Sequence, residues 1–176
     1  MAKSKMKIEI RKAKPKDAEG IAKVFEDGFR MKNFIYTGRN KKMGKDKIKK
    51  GREEYKKKNP DFYCFVAIDK EIDKVIGSST AFFKKEGRLR HRAELAWSIH
   101  PDYQGKGIST KVVKEILKFL KKKGFKKIEA ECAIKNIASW KMAKKCGFKI
   151  EGIKEKGLLM DNGRYLDTYM MGKILK

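Results

Sequence analysis

The chain has 176 residues, 40% apolar and 39% charged, and its 47 basic against 22 acidic side chains give a formal charge of +25. The length suits one domain with a real core, and no apolar run approaches the roughly 18 residues of a membrane span, so the expectation is a globular, heavily solvated protein without a membrane helix. A field this positive attracts polyanions, but a dedicated sequence-reading surface is not expected, because the chain carries 39 lysines and only eight arginines.

The first residues, M-A-K-S-K-M-K, lack the apolar segment of a signal peptide, so the expected location is the cytoplasm. Residues 1–6 read as a short basic tail and 7–176 as a single domain. Cys64, Cys132 and Cys146 are odd in number and lack metal-ligand spacing, which reads as buried, reduced thiols and no metal site.

Lys7 to Ile10 forms a short first strand, and Ile10 to Asp17 leads into a helix on which Ala18, Ile21, Ala22, Phe25 and Phe29 share a face. Phe34, Ile35 and Tyr36 follow in a loop. Met43 to Lys58 is a basic, poorly periodic second helix that Gly51 weakens. Phe62 to Ile68 and Val75 to Phe83, rich in aromatic and β-branched residues and joined by the polar turn 69–74, read as antiparallel strands. A second polar turn, Lys84 to Arg92, places Arg88, Arg90, His91 and Arg92 at a solvated hairpin tip.

The stretch from Glu94 to Thr110, E-L-A-W-S-I-H-P-D-Y-Q-G-K-G-I-S-T, organises the chain. Leu95, Trp97 and Ile99 alternate against Glu94, Ala96, Ser98 and His100 in a strand that Pro101 ends. His100 is best explained by hydrogen bonding at the strand end. From Ile108 the period becomes helical, with Val112, Val113, Ile116, Leu117, Phe119 and Leu120 on one stripe and Gly124 at the C-cap. Between strand and helix, Gln104, Gly105, Lys106 and Gly107 let the backbone approach a ligand, and the helix's first amides have no internal acceptors. Such a turn binds anions, phosphate above all. Neither the Walker spacing nor G-x-G-x-x-G is present.

Lys127 to Ile134 alternates as a half-exposed fifth strand. Asn136 to Phe148, N-I-A-S-W-K-M-A-K-K-C-G-F, is a short helix with Asn136 as N-cap and Gly147 as C-cap. Glu151 to Leu175 reads as two strands about an Asn162-Gly163 hairpin turn.

The run H-P-D-Y-Q-G-K-G-I-S resembles the acetyl-coenzyme A pyrophosphate loop of the GNAT acetyltransferase superfamily, Gln/Arg-x-x-Gly-x-Gly/Ala, with Gln104 and Gly107 in place and Ser109 where the last small residue stands. Ile10-Arg11-x-Ala13-x-x-x-Asp17 resembles the start of many such domains, and Asn136-x-x-Ser139 before Gly147-Phe148 resembles the second signature. Together with E-G and D-N-G-R-Y-x-D in the tail, the likeness spans about Lys7 to Leu175 and is closest to the ribosomal-protein N-terminal acetyltransferases.

The resemblance implies an α/β (α+β) GNAT fold: one mixed, mostly antiparallel sheet of six or seven strands, helices on both faces and a splayed central strand. It implies direct acetyl transfer from acetyl-coenzyme A to an amine, without a metal. The cofactor would lie on Trp97, Ser98 and Ile99, on Gln104, Gly105, Lys106, Gly107, Ile108, Ser109 and Thr110, and on Asn136. Phe34, Tyr36 and Tyr165 would line the acceptor side. Glu94 is the candidate base and Ser139 a candidate thiol-contacting group; the tyrosine that many relatives carry four residues before the glycine is here Ala143. The expected acceptor is a protein or peptide α-amine. The alternatives are a small-molecule amine and a non-catalytic basic module bound to RNA or ribosomes.

Overall fold

The computed structural model describes residues 6–30, 45–58 and 60–176. Among them are seven strands in a single sheet and four α-helices: β1 (Ile8–Lys12), α1 (Ala18–Arg30), α2 (Lys45–Lys56), β2 (Phe62–Asp69), β3 (Lys74–Phe83), β4 (Arg92–Ile99), α3 (Ile108–Lys122), β5 (Lys127–Ala133), α4 (Ile137–Lys145), β6 (Lys149–Leu159) and β7 (Tyr165–Ile174). The strand order is β1-β2-β3-β4-β5-β7-β6, and only the β4–β5 pair is parallel.

Alternation along the strands sends two apolar sets to opposite faces. Ala93 and Leu95 of β4 and Ile128, Ala130 and Cys132 of β5 join Ile108, Val112, Val113, Ile116 and Leu120 of α3 and Met142 and Ala143 of α4 in the larger core. On the other face, Ile21 and Val24 of α1 pack on Val66, Ile68 and Val75. Helices therefore cover both faces, as the family resemblance implied.

The start of α1 is fixed by an ion pair. Asp17, buried at the helix approach, accepts from Arg11 Nη1 at 2.6 Å and Nη2 at 3.0 Å and from the Lys14 amide at 2.6 Å. Burial alone pushes the Asp17 carboxyl up, but the Arg11 and Lys14 hydrogen bonds outweigh it and hold the group below the ordinary aspartate range.

The capping expectations hold: Gly124 and Gly147 are left-handed, and Asn136 Oδ1 accepts from the Ser139 amide at 3.2 Å. The last turn differs from the expected two-residue Asn-Gly form. The Gly163 amide donates to Met160 O and the Met160 amide to Arg164 O, and only Gly163 takes positive φ. Asn162 Oδ1 instead accepts from the Arg164 amide at 3.1 Å, so its side chain closes the loop without a positive φ. No helix among the described residues is long and apolar enough to cross a membrane.

Candidate active site

The central opening is built by the early end of one ladder. β4 and β5 pair only at Arg92–Lys127, Ala93–Ile128 and Glu94–Glu129, whereas β4 stays paired with β3 through Ile99. From Leu95 onward the two parallel strands diverge. The phase of β4 is fixed at its ends: the Lys127 amide donates to His91 O on the β5 side, and the His100 amide donates to Ile76 O on the β3 side. Backbone groups alternate along a strand, so the amides of Trp97 and Ile99 face the opening and those of Ala96 and Ser98 face β3. Ser98 turns its buried side chain to the α1 face.

Beyond Pro101–Tyr103 the chain enters the glycine turn. Gly105 and Gly107 have φ of +73° and +72°, and no heavy atom lies within 4 Å of where a Cβ would stand on either. Ile108, Ser109 and Thr110 form the first turn of α3, where amides have no intrahelical acceptor. Open space beside converging N–H groups at a helix N-terminus fits a pyrophosphate. Gln104 Nε2 approaches Ile99 O at 3.4 Å, and Lys106 Nζ donates to Asp102 O at 2.9 Å while lying over the Tyr103 ring. The turn is thus bound back onto the end of β4.

Across the opening, α4 brings Ser139 to β4. Trp97 Nε1 donates to Ser139 Oγ at 3.1 Å, and Cys132 Sγ lies 3.5 Å from the same oxygen. Trp140 Nε1 donates to Ile134 O at 3.0 Å, fixing the β5–α4 connection. Asn136 spends its side-chain oxygen on the cap and is half-buried beside the opening. Ala143 is wholly buried in the larger core, so the position lacking tyrosine is a packing position. The Tyr103 hydroxyl donates to Asp69 Oδ2 at 3.0 Å, and burial together with that bond holds the phenol above the ordinary tyrosine range.

Glu94 stands on the last rung before the strands part, exposed, with Phe82 beside it on β3 and Glu129 on β5. Its side chain projects to the α1 face, because its neighbours Ala93 and Leu95 are buried on the α3 face. Glu94 and Ser139 therefore flank the opening from opposite faces of the sheet. The α1 face also carries an aromatic row, Tyr55–Phe62–Phe82, with successive centroids 5.9 and 5.8 Å apart. It further carries Glu131, which accepts from Thr168 Oγ1 at 2.6 Å and from Lys154 Nζ at 2.8 Å.

The sequence reading missed this row and the Trp97–Ser139 bond. Phe62 and Phe82 stand on strands read from the sequence, but their pairing with Tyr55 of α2 and the 42-residue reach from Trp97 to Ser139 are announced by nothing local. Phe34 and Tyr36 lie outside the described residues, and Tyr165 is exposed on β7, with Lys156 Nζ over its ring. The thiols are buried, and burial raises all three, Cys64 to about 11. Among the described residues no group of His, Cys, Asp and Glu is placed to hold a metal ion.

A family model described as an acetyltransferase (GNAT) domain matches residues 7–149. An uncharacterized N-acetyltransferase, YnaD, of Bacillus subtilis is 31% identical over 115 residues, an alignment spanning 65% of this chain and 65% of that protein. An acetyltransferase of the GNAT family from Streptococcus pneumoniae superposes with a TM-score of 0.85 at 21% identity, covering 96% of this chain and 99% of that one. The ribosomal-protein-S5-alanine acetyltransferase of Vibrio fischeri gives a TM-score of 0.78 at 25% identity, with 96% and 93% covered.

Proposed function

Since the chain belongs to the GNAT acetyltransferase family, whose domain it matches over residues 7–149, we propose that it acetylates a primary amine, and that this amine is the α-amine of a protein or peptide N-terminus. The observation that carries the reading is the opening between β4 and β5, with the Trp97 and Ile99 amides facing it and the glycine turn at its end.

Bound acetyl-coenzyme A would supply the activated acetyl group: a C–N bond forms, the thioester C–S bond breaks, and the proton lost by the amine is balanced by one gained at sulfur. Gly105, Gly107 and the first-turn amides of Ile108 to Thr110 hold the pyrophosphate, and Asn136 stands along the pantetheine arm. The Trp97 and Ile99 amides serve as donors to negative charge developing on the carbonyl oxygen. Glu94, on the acceptor face, takes the amine proton through water. Ser139, on the opposite face, offers its hydroxyl to the departing sulfur.

The acceptor follows from proton affinity and from the missing phenol at Ala143. At pH 7 an α-amine costs about 1 kcal/mol to deprotonate and a lysine amine about 4.6 kcal/mol. A site with one exposed carboxylate as base suits the first. The likeness to the Vibrio fischeri enzyme supports the same acceptor. The test is a turnover screen with acetyl-coenzyme A, setting peptides of varied N-terminus against amino acids, amino sugars and polyamines. Peptides are expected to turn over fastest; a small amine that outruns every peptide overturns the choice of acceptor.

A further inference from the structure

The indole of Trp97 is joined to the hydroxyl of Ser139 across the opening, although 42 residues separate them in sequence. An indole N–H can only donate. At 3.1 Å it therefore occupies a lone pair of Ser139 Oγ, and the serine's own proton must point elsewhere. Cys132 Sγ lies 3.5 Å from the same oxygen and can take the serine proton or give its own. The indole is itself held firmly, since its ring packs against Phe148 with centroids 6.3 Å apart and rests on the larger core. The Ser139 backbone is fixed independently by the Asn136 cap, so rotation of one hydroxyl is the freedom that the indole removes.

We infer that Trp97 is a positioning residue whose side chain aims the Ser139 O–H at a sulfur acceptor, while its backbone amide faces the same opening. In the free protein the Cys132 thiol stands at that position, able to accept the serine proton or to donate its own; in the loaded protein the acceptor would be the sulfur of the cofactor. The inference rests on the proposed role of Ser139. It adds that the hydroxyl works only when the indole has oriented it, because a freely rotating serine spends much of its time with its proton directed away from sulfur.

Three variants test it: Trp97→Phe, which keeps an aromatic ring but loses the N–H, Ser139→Ala, and the double variant. Trp97→Phe is expected to lower kcat by about fivefold to tenfold, the worth of one hydrogen bond, with the KM for acetyl-coenzyme A and the calorimetric Kd for coenzyme A changed by less than about twofold. In the Ser139→Ala background the same substitution should cost nothing further, since the group it orients is gone. A readout independent of turnover is the indole N–H resonance of Trp97 in the free protein. It should shift upfield and exchange faster in Ser139→Ala, while that of Trp140 stays in place. An unmoved Trp97 resonance overturns the inference, and so do losses in kcat that multiply in the double variant. If Ser139→Ala lowers kcat and Trp97→Phe does not, the inference fails and the role of Ser139 stands. If Ser139→Ala keeps full kcat, that role fails and takes the inference with it.

Discussion

His100 Nε2 lies 3.2 Å from Asp27 Oδ2, so the residue that ends the central strand is tied to the last turns of α1. The other ring nitrogen, Nδ1, accepts from the Asp102 amide at 3.3 Å and caps the turn that leads to the glycine loop. Lys74 Nζ lies 3.5 Å from the same Nε2, so strand β3 also meets the ring. One buried imidazole thus joins α1 to the glycine turn proposed to hold the cofactor. His100→Ala should destabilise the protein by about 2 kcal/mol, the scale of losing buried hydrogen bonds. It should also raise the KM for acetyl-coenzyme A more than it lowers kcat. Thermal unfolding beside steady-state kinetics checks both.

The Arg11–Asp17 pair predicts an acid limit to stability. The Asp17 carboxyl is held below its unfolded range, so its contribution is complete above about pH 4, the unfolded aspartate pKa, and is lost as pH falls through the lower folded value. Asp17→Asn should cost about 2 kcal/mol at pH 7, because it takes the carboxylate from a half-buried guanidinium that keeps Glu9 at 3.7 Å and the Lys12 carbonyl. The variant's stability should fall less than the parent's between pH 5 and pH 2, as measured by urea unfolding across that range.

The glycine turn can be tested without confusing strain with obstruction. Val at Gly107 would suffer from φ of +72° as well as block the approach, whereas Asn tolerates the left-handed region. Gly107→Asn should therefore keep the parent's melting temperature within a few degrees. It should raise the KM for acetyl-coenzyme A about tenfold, equivalent to about 1.4 kcal/mol of binding. A folded Gly107→Asn protein with an unchanged KM would remove this loop from the cofactor site.

Glu94 carries the proposed base role, and pH separates that role from a structural one. Glu94→Gln should lower kcat at neutral pH by about 100-fold, the scale of general-base loss. The deficit should shrink as pH rises towards 9, where the α-amine is already neutral. A variant within twofold of the parent over that whole interval would make Glu94 an ordinary exposed strand carboxylate.

Much of this arrangement was legible from local pattern. Leu95, Trp97 and Ile99 announce β4 by alternation, Ile108 to Leu120 announce α3 by the helical period, and Asn136, Gly124 and Gly147 mark the caps, because each signal is carried by neighbours in sequence. The placement of β7 between β5 and β6 is not written that way, since it depends on which distant strands bury their faces together. The same holds for the Trp97–Ser139 and His100–Asp27 contacts, where a single polar group finds a partner that only the completed fold supplies. The Asn162-Gly163 turn shows a smaller gap. The dipeptide marks a turn, but the flanking register decides whether Asn162 takes a left-handed conformation, and here it does not.

Acetyl transfer to an α-amine is best tested by giving the enzyme both kinds of amine at once. A peptide with a free N-terminus and one internal lysine, incubated at pH 7 with isotope-labelled acetyl-coenzyme A and an equal concentration of spermidine, is sequenced by tandem mass spectrometry. Label is expected on the α-amine ahead of both the lysine side chain and spermidine. Label accumulating first on the lysine or on spermidine would contradict it.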